Sequence, residues 1–269
     1  MKLASWNVNS LKVRLPQLRD WLAGDDAPDI LCLQETKLED RNFPLVELAA
    51  AGYRAVFSGQ KTYNGVALLA REEVADKGGV ATKGGFANIQ IGNPHFPDAQ
   101  QRLIAATVGG IRVICAYFPN GEAIGSEKFA YKLSWLAALR AWLREELERH
   151  PHLALCGDFN IAPEDADTHD PEKWRGNILC SDAERQAFRD LLALGMEDSF
   201  RLFPQAEKSF SWWDYRMLGF QKNRGLRIDH ILLSQPLARR AAAAGIARAL
   251  RKHERPSDHA PVWVELAEG

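Results

Sequence analysis

Short apolar runs recur along the whole chain, and a polar cluster stands directly beside five of them. A short apolar run bounded by polar residues is typical of a buried β-strand. In sheet proteins, functional groups collect where strands end and loops begin. The pattern therefore predicts one polar site, assembled from side chains spread over the full length of the chain. The clusters are Asn7-Val8-Asn9, Gln34-Glu35-Thr36-Lys37, Tyr117, Gly157-Asp158-Phe159-Asn160 and Ser257-Asp258-His259.

The composition is that of an ordinary globular protein: the 269 residues are 46% hydrophobic and 26% charged, with a formal net charge of −1. No stretch rich in Pro, Gly or Ser divides the chain, so we expect one domain over residues 1–269. The low net charge excludes a global attraction to nucleic acids, and a polyanion needs a local basic patch. Two basic stretches, each by itself typical of a solvated surface, are Arg216, Lys222, Arg224 and Arg227, and Arg239, Arg240, Arg248, Arg251, Lys252 and Arg255.

The cysteines and the apolar runs indicate a cytoplasmic protein. No pair of the four cysteines has the spacing of metal ligands, and Cys32, Cys115 and Cys156 lie inside apolar runs. This usage is typical of free thiols in a reducing compartment. The chain begins directly with a predicted strand, and no apolar run reaches membrane-spanning length. We therefore expect a cytoplasmic protein that makes no membrane contact.

Predicted strands outnumber predicted helices. The clearest helix covers residues 127–150 with Ser126 as its N-cap, and two others cover residues 16–24 and 181–194. Gly109 and Gly110 mark a tight hairpin turn. This combination predicts mixed or largely antiparallel sheets that are covered by helices. Strands are predicted at residues 2–6, 30–34, 53–58, 65–70, 87–91, 103–108, 111–117, 153–156, 227–233 and 260–266.

Carboxylates dominate the predicted polar site. Taken alone, Glu35 has Lys37 as an available salt-bridge partner. Asp158 could form an Asx turn or, on an extended chain, share a face with Asn160. If the carboxylates converge, a hard cation with oxygen ligands is the usual way to relieve their repulsion. Mg²⁺ or Mn²⁺ fits Asp, Glu and Asn ligands, whereas Zn²⁺ prefers His or Cys. The four carboxylates are those of Glu35, Asp158, Asp229 and Asp258.

The remaining polar groups of the clusters suit an anionic substrate. A Tyr hydroxyl, Asn amides and a His held by a carboxylate can stabilise the negative charge that develops when a phosphoester is hydrolysed. A carboxylate partner favours the protonated form of a residue such as His259. The residues alone therefore predict metal-assisted hydrolysis of a phosphoester.

Six motifs, in this order, resemble those of the exonuclease III family of apurinic/apyrimidinic endonucleases, and the match covers nearly the whole chain. The resemblance implies a four-layered α/β sandwich, in which two mixed β-sheets pack face to face and are flanked by helices, as in DNase I-like nucleases and phosphatases. It also implies a site at one end of the sandwich. The motifs are Trp6-Asn7-Val8-Asn9, residues 28–37, Tyr117-Phe118-Pro119-Asn120-Gly121, Gly157-Asp158-Phe159-Asn160, residues 223–229 and Ser257-Asp258-His259.

The resemblance also implies roles for the polar residues. Asp158 would position or deprotonate the attacking water, and Tyr117 and Asn160 would hold the scissile phosphate. His259, paired with Asp229, would contact a phosphate oxygen. The implied catalytic residues are Tyr117, Asp158, Asn160, Asp229 and His259. The implied ligands of Mg²⁺, or of Mn²⁺ as a substitute, are Asn7, Glu35, Asp158, Asn160 and Asp258.

Damaged duplex DNA is the substrate that the resemblance implies. In this family, residues matching Trp212, Leu226 and Ile228 line a small apolar pocket for an extrahelical abasic sugar, although an aromatic run by itself is more typical of a core. Asn9 stands where some animal members carry Asp, which weakens the case for a metal ligand there. We expect a monomer that holds duplex DNA mainly through phosphates, contacted by the loop 216–227. The implied substrate-binding residues are Asn9, Asn120, Trp212, Arg216, Leu226 and Ile228.

The predicted function is Mg²⁺-dependent hydrolysis of phosphodiesters at abasic sites and 3′ ends of duplex DNA. The sequence leaves open the balance between abasic-site cleavage, 3′-to-5′ exonuclease action and removal of 3′-phosphates. One alternative is a phosphatase or phosphodiesterase of the same fold that acts on a lipid or inositol headgroup. Another is a non-catalytic DNA-binding module, which the intact catalytic positions disfavour.

Overall fold

A computed structural model describes residues 1–78 and 84–267, and this part of the chain forms fourteen strands and seven α-helices. The strands are β1 (Lys2–Asn7), β2 (Ile30–Gln34), β3 (Tyr53–Ser58), β4 (Val66–Arg71), β5 (Ala87–Ile91), β6 (Leu103–Val108), β7 (Ile111–Tyr117), β8 (Leu153–Asp158), β9 (Met196–Asp198), β10 (Trp212–Trp213), β11 (Gly225–Leu226), β12 (Asp229–Ser234), β13 (Ala241–Ile246) and β14 (Val262–Leu266). The helices are α1 (Leu11–Leu22), α2 (Leu45–Ala50), α3 (Glu72–Ala75), α4 (Glu127–Arg149), α5 (Pro171–Trp174), α6 (Asp182–Leu192) and α7 (Gln235–Ala238).

Most of these strands belong to two mixed sheets of six strands each. The first sheet has the order β13-β14-β1-β2-β4-β3, and the second has the order β5-β6-β7-β8-β12-β9. The pairs β1–β2 and β7–β8 are parallel, and the other pairs in both sheets are antiparallel. Strands β10 and β11 form a separate two-stranded ribbon. The predicted mixed sheets are therefore confirmed.

Three apolar cores stack the elements into layers. Alternate residues of a strand point to opposite faces, so Cys32 of β2 lies between the two sheets while Leu31 faces α1 and α2. On the far side, α4 and α6 cover the second sheet through residues such as Leu139 and Phe188. The order helices, sheet, sheet, helices is the four-layered α/β sandwich that the resemblance implied. No helix within the described ranges is long and apolar enough to cross a membrane.

The predicted helices hold with one correction. Ser126 Oγ accepts a hydrogen bond from Phe129 N at 3.1 Å, which confirms the N-cap of α4. The prediction that α1 starts near Pro16 was wrong, because the helix begins at Leu11 and contains Pro16 in its interior. The loop after β2 sets this earlier start, since Leu11 N donates to the carbonyl oxygen of Thr36 at 3.0 Å.

Gly157→Ala is expected to destabilise the parallel pair β7–β8. Gly157 pairs with Ala116, and an added Cβ would lie 1.8 Å from the carbonyl oxygen of that residue. Because strand backbone cannot move aside as a side chain does, we expect the free energy of unfolding to fall by about 1–3 kcal/mol or more. Gly24→Ala is the matched control, since its added Cβ would find its nearest atom at 3.5 Å. Urea denaturation measures both variants, and equal stability would contradict the close approach.

Candidate active site

Strand ends from both sheets meet at one end of the sandwich. Asn7 ends β1, and Glu35 directly follows the parallel neighbour β2. In the second sheet, Tyr117 and Asp158 end the parallel strands β7 and β8 and stand opposite each other in register. Asp229 begins the antiparallel strand β12 and pairs with Asp158. The polar side chains thus reach one place because parallel strands end at the same edge and an antiparallel strand begins there.

The amide of Asn7 joins the two sheets. Its Nδ2 donates to Glu35 Oε1 at 2.8 Å and to Asp158 Oδ2 at 2.9 Å. Asn7 is fully buried, and its backbone carbonyl oxygen accepts a hydrogen bond from Ser257 Oγ at 2.7 Å. This buried amide therefore holds one carboxylate from each sheet at a fixed separation.

Glu35 has two further neighbours. Lys37 Nζ lies 2.8 Å from Glu35 Oε2, so the ion pair considered from the sequence is present. Burial raises the pKa of Tyr117 well above its ordinary value, and the negative charges of Glu35 and Asp158 raise it further. The Tyr117 hydroxyl consequently keeps its proton and serves as a hydrogen-bond donor beside the carboxylates.

His259 lies between two aspartates. Its Nδ1 is 2.9 Å from Asp229 Oδ2, and its Nε2 is 3.7 Å from Asp158 Oδ2. Burial disfavours the protonated ring, but the charges of Asp229, Asp158 and Asp258 outweigh it and raise the pKa of His259 to about 10. Burial raises the pKa of Asp158 to about 7, with Asp229 adding to the shift and His259 opposing it. His259 is therefore a cation at neutral pH.

The carboxylate of Asp258 is held by two hydrogen bonds at the edge of the site. Its Oδ2 accepts from Trp212 Nε1 at 3.0 Å, and its Oδ1 accepts from Asn9 Nδ2 at 2.9 Å. Burial alone would raise the pKa of Asp258, but His259 and these two hydrogen bonds lower it. Asp258 thus anchors Trp212 and Asn9.

The described part of the chain brings possible ligand atoms of Glu35, Asp158 and His259 within 4.8 Å of one another. Carboxylate oxygens, here those of Glu35 and Asp158, are the ligands that a hard divalent cation prefers. Asp158 is buried, and burial raises its pKa, so a cation beside it would stabilise its ionised form. The protonated ring of His259 is a hydrogen-bond donor and does not suit a ligand role.

Asn160 lies in a turn, contrary to the extended arrangement with Asp158 that was considered. Its φ is 50°, and its backbone N–H donates to Asp158 Oδ1 at 2.9 Å, which forms the Asx turn. Its side chain donates to the carbonyl oxygen of Phe118 at 3.0 Å and accepts from Asn120 Nδ2 at 2.9 Å. Asn160 and Asn120 thereby tie together the loops that follow β7 and β8.

A buried ion pair that the sequence analysis missed supports these two loops. Lys132 Nζ, on α4, lies 2.5 Å from Glu184 Oε1 on α6, and both side chains are fully buried. The same Nζ donates to the carbonyl oxygens of Asn160 at 2.7 Å and Asn120 at 3.1 Å. The sequence does carry a sign of this buried charge, because Lys132 lies on the same face of the helix as Phe129 and other apolar residues.

Trp212, Leu226 and Ile228 meet in one apolar cluster beside the polar site. Trp212 pairs with Leu226 across the ribbon β10–β11 and forms a bridge to His259. Leu226 and Ile228 are buried, whereas Trp212 is only half-buried. The other members of the cluster are Ala162, Trp174, Ile178, Leu179 and Cys180.

The basic loop 216–227 is less available than expected. Arg216 is exposed, but its guanidinium pairs with Asp214 at 2.6 Å. Arg227 is buried and pairs with Asp167 at 2.6 Å and Asp198 at 2.8 Å. Packing places the Arg227 guanidinium inside the protein, and the phosphate contact predicted for this loop stays a prediction for its other residues.

Comparison with known proteins relates the whole chain to nucleases. The sequence pattern of the Endonuclease/Exonuclease/phosphatase family matches residues 4–259. The chain is 40% identical to Exodeoxyribonuclease III of Haemophilus influenzae, over 99% of this chain and 100% of the relative. The structure of a 3′ phosphatase from Neisseria bound to a product DNA hairpin is similar with a TM-score of 0.93, 49% identity and 100% coverage of both chains. An AP endonuclease from Archaeoglobus fulgidus gives a TM-score of 0.90 and 38% identity, with 99% coverage of both chains.

Lys132→Met is expected to lower the free energy of unfolding by about 3–5 kcal/mol, because it leaves the Glu184 carboxylate buried without a countercharge. The double variant Lys132→Met/Glu184→Gln should recover part of this loss. Lys128→Met is the control, since its pair with Glu122 is exposed and worth about 0–1 kcal/mol. Urea denaturation gives all three values; a Lys132 variant as stable as the Lys128 variant would show that the pair contributes little.

Proposed function

The chain belongs to the Endonuclease/Exonuclease/phosphatase family, and we propose that its site hydrolyses phosphodiesters of duplex DNA at abasic sites and 3′ ends with a bound Mg²⁺. The resemblance to the exonuclease III family is confirmed, and the chain is a DNA repair nuclease of that type. The observation that carries the proposal is the pair of carboxylates bridged by Asn7 beside a protonated His259. We further propose that residues 1–269 act as one catalytic domain and as a cytoplasmic monomer.

Glu35 and Asp158 would hold the divalent cation, and Asn7 would keep their carboxylates at the required separation. Bound there, Mg²⁺ would act as a Lewis acid on the phosphate oxygens and lower the pKa of a bound water. Asp258 and Asn160 have other hydrogen-bond partners, so we assign them supporting roles around this site.

Asp158 is the proposed base for the attacking water. Without a cation, burial raises the pKa of this carboxyl to about 7; a cation beside it would lower that pKa and keep the carboxylate ionised, as a base must be. His259 would donate from Nε2 to an oxygen of the scissile phosphate while Asp229 holds its Nδ1. The protonated hydroxyl of Tyr117 would be a second donor. Both donors stabilise negative charge that grows in the transition state.

The apolar cluster is the proposed source of selectivity for damage. Trp212, Leu226 and Ile228 lie together, and Trp212 is hydrogen-bonded to Asp258 at the edge of the polar site. A nucleotide without its base is the cheapest to turn out of the helix. A small apolar pocket at this place would accept the bare sugar and reject a normal nucleotide.

The test is a comparison of rates on defined duplexes. The purified protein with Mg²⁺ receives an internal abasic analogue, a blunt end or a 3′-phosphate, with a chelator as the control for metal dependence. We expect hydrolysis of at least one substrate and a loss of about 10²–10⁴-fold in Asp158→Asn with DNA binding retained. Inactivity on all three, with turnover of inositol phosphates or sphingomyelin, would refute the proposal in favour of the lipid-headgroup alternative.

Trp212→Ala is expected to reduce the preference for abasic over intact nucleotides by about tenfold, because a wider pocket no longer excludes a base. Trp212→Phe is the matched control, since it keeps an aromatic ring and loses only the hydrogen bond to Asp258. The ratio of kcat/KM for the two substrates measures the effect. If both variants keep the wild-type ratio, the pocket does not select the substrate.

A further inference from the structure

A buried histidine that the proposed mechanism leaves unused lies directly behind the catalytic residues. His230 follows Asp229 in β12. Because alternate residues of a strand point to opposite faces, Asp229 reaches His259, whereas His230 turns to the other face of the sheet. There its ring packs against Phe159 and Phe188, with ring centroids 5.0 and 4.9 Å away. His230 is buried, so its two ring nitrogens need partners inside the protein.

The partners of His230 fix its tautomer. Nε2 lies 2.9 Å from the backbone carbonyl oxygen of Ile161, which can only accept, so Nε2 carries the proton and donates. Nδ1 lies 3.0 Å from Nη1 of Arg227, which can only donate, so Nδ1 is the acceptor. Burial and the charge of Arg227 lower the pKa of His230 to about 3. A neutral ring with one donor and one acceptor therefore links Arg227 to Ile161.

Arg227 is a rigid support for this ring. Its Nε donates to Asp167 Oδ1 at 2.6 Å, and its Nη1 lies 2.8 Å from Asp198 Oδ2. Its backbone N–H donates to the carbonyl oxygen of Asp167 at 2.8 Å, and its guanidinium carbon lies 4.9 Å from the ring centroid of Phe200. Because both carboxylate partners are themselves buried, the guanidinium holds Nδ1 of His230 in one place.

The residue that His230 holds lies next to Asn160 in the turn after β8. Asn160 has a φ of 50°, in the left-handed region that favours glycine, so this turn needs support from outside. Two side chains supply it at consecutive carbonyl oxygens. Lys132 Nζ donates to the carbonyl oxygen of Asn160 at 2.7 Å, and His230 Nε2 donates to that of Ile161. One donor belongs to α4 and the other to β12, so two separate elements fix the position of the turn.

We propose that His230 is a positioning residue for the reaction: its ring holds the carbonyl oxygen of Ile161, and the turn 158–161 then presents Asp158 to the cation and the attacking water. The inference rests on the proposed function, which gives Asp158 these roles. A misplacement of about 1 Å can slow a reaction by about 10²-fold. Loss of the His230 donor should therefore slow the chemical step and leave DNA binding unchanged.

The test compares two substitutions at His230. His230→Leu keeps an apolar side chain in the space and removes both hydrogen bonds, whereas His230→Gln keeps a donor for Ile161 and an acceptor for Arg227. Leu232→Val is the matched control, because Leu232 lies two residues on in the same strand and is buried in the same apolar core as Phe159. Cleavage of an abasic duplex gives kcat and KM, fluorescence anisotropy gives DNA affinity, and urea denaturation gives stability.

We expect His230→Leu to lower kcat about tenfold with KM and DNA affinity near the wild type, and His230→Gln to recover most of this loss. Leu232→Val should keep the wild-type kcat even where it lowers stability as much. Because His230 acts through Asp158, the loss should disappear in the Asp158→Asn background, and the double variant should cleave as fast as Asp158→Asn alone. A purely structural role would add the two losses.

The wild type itself is tested by ¹⁵N NMR of its histidines at neutral pH, which also decides the question where the His230→Leu variant is unfolded. We expect a neutral imidazole that carries its proton on Nε2 and exchanges this proton slowly with solvent. The signal is assigned to His230 by its loss in the His230→Gln variant.

Five results would overturn the inference. These are a wild-type kcat in His230→Leu, an equal loss of kcat in Leu232→Val, a His230→Gln variant no faster than His230→Leu, a loss that adds to that of Asp158→Asn, and a charged or Nδ1-protonated His230. When the wild type cleaves abasic duplexes, each of them refutes the positioning role alone. A wild type that is inactive on all three duplexes of the rate comparison would refute the proposed function together with the inference.

Discussion

The amide of Asn7 is the contact on which the site depends, because its two N–H groups bind carboxylates from both sheets. Glu35 comes from the end of the first sheet and Asp158 from the end of the second. Two carboxylates that share one hydrogen-bond donor lie close enough to repel each other, and the Asn7 amide donates a hydrogen bond to one oxygen of each. Asn7 is buried and is itself held by Ser257, so the spacing across the two sheets is set by polar contacts inside the protein.

This contact requires the two sheets to end at the same level. The apolar faces of both sheets pack against each other through residues such as Cys32 and Cys156. Each sheet contributes one parallel pair, β1–β2 and β7–β8, whose carboxyl ends carry the polar groups. Gly157 has no room for a side chain beside Ala116, and it leads directly into Asp158. The chemistry of the site therefore rests on close backbone packing one residue away.

The long helix and most strands, including the edge strands β3 and β5, could be predicted from the sequence, whereas the short strands β9, β10 and β11 and the edge strand β13 could not. Helix α4 and the Val-, Ile- and Leu-rich strands show a clear period over many residues. In contrast, β13 has the sequence AAAAGI, and alanine by itself favours a helix. Pairing with β14 at the edge of the first sheet overrides this preference. The start of α1 and the Lys132–Glu184 pair likewise depend on partners that are distant in the sequence.

The sequence by itself determined the fold class, the family and the polar residues at the strand ends, because periodicity and ordered motifs are properties of the chain. Only the tertiary structure decided which of those residues are neighbours and which are free. It turned Asp258 toward Trp212 and Asn9, and it buried Arg227 among carboxylates. The sequence shows which side chains are charged but not which partners they have, because burial and ion pairing depend on segments that are distant in the sequence and meet only in the folded protein.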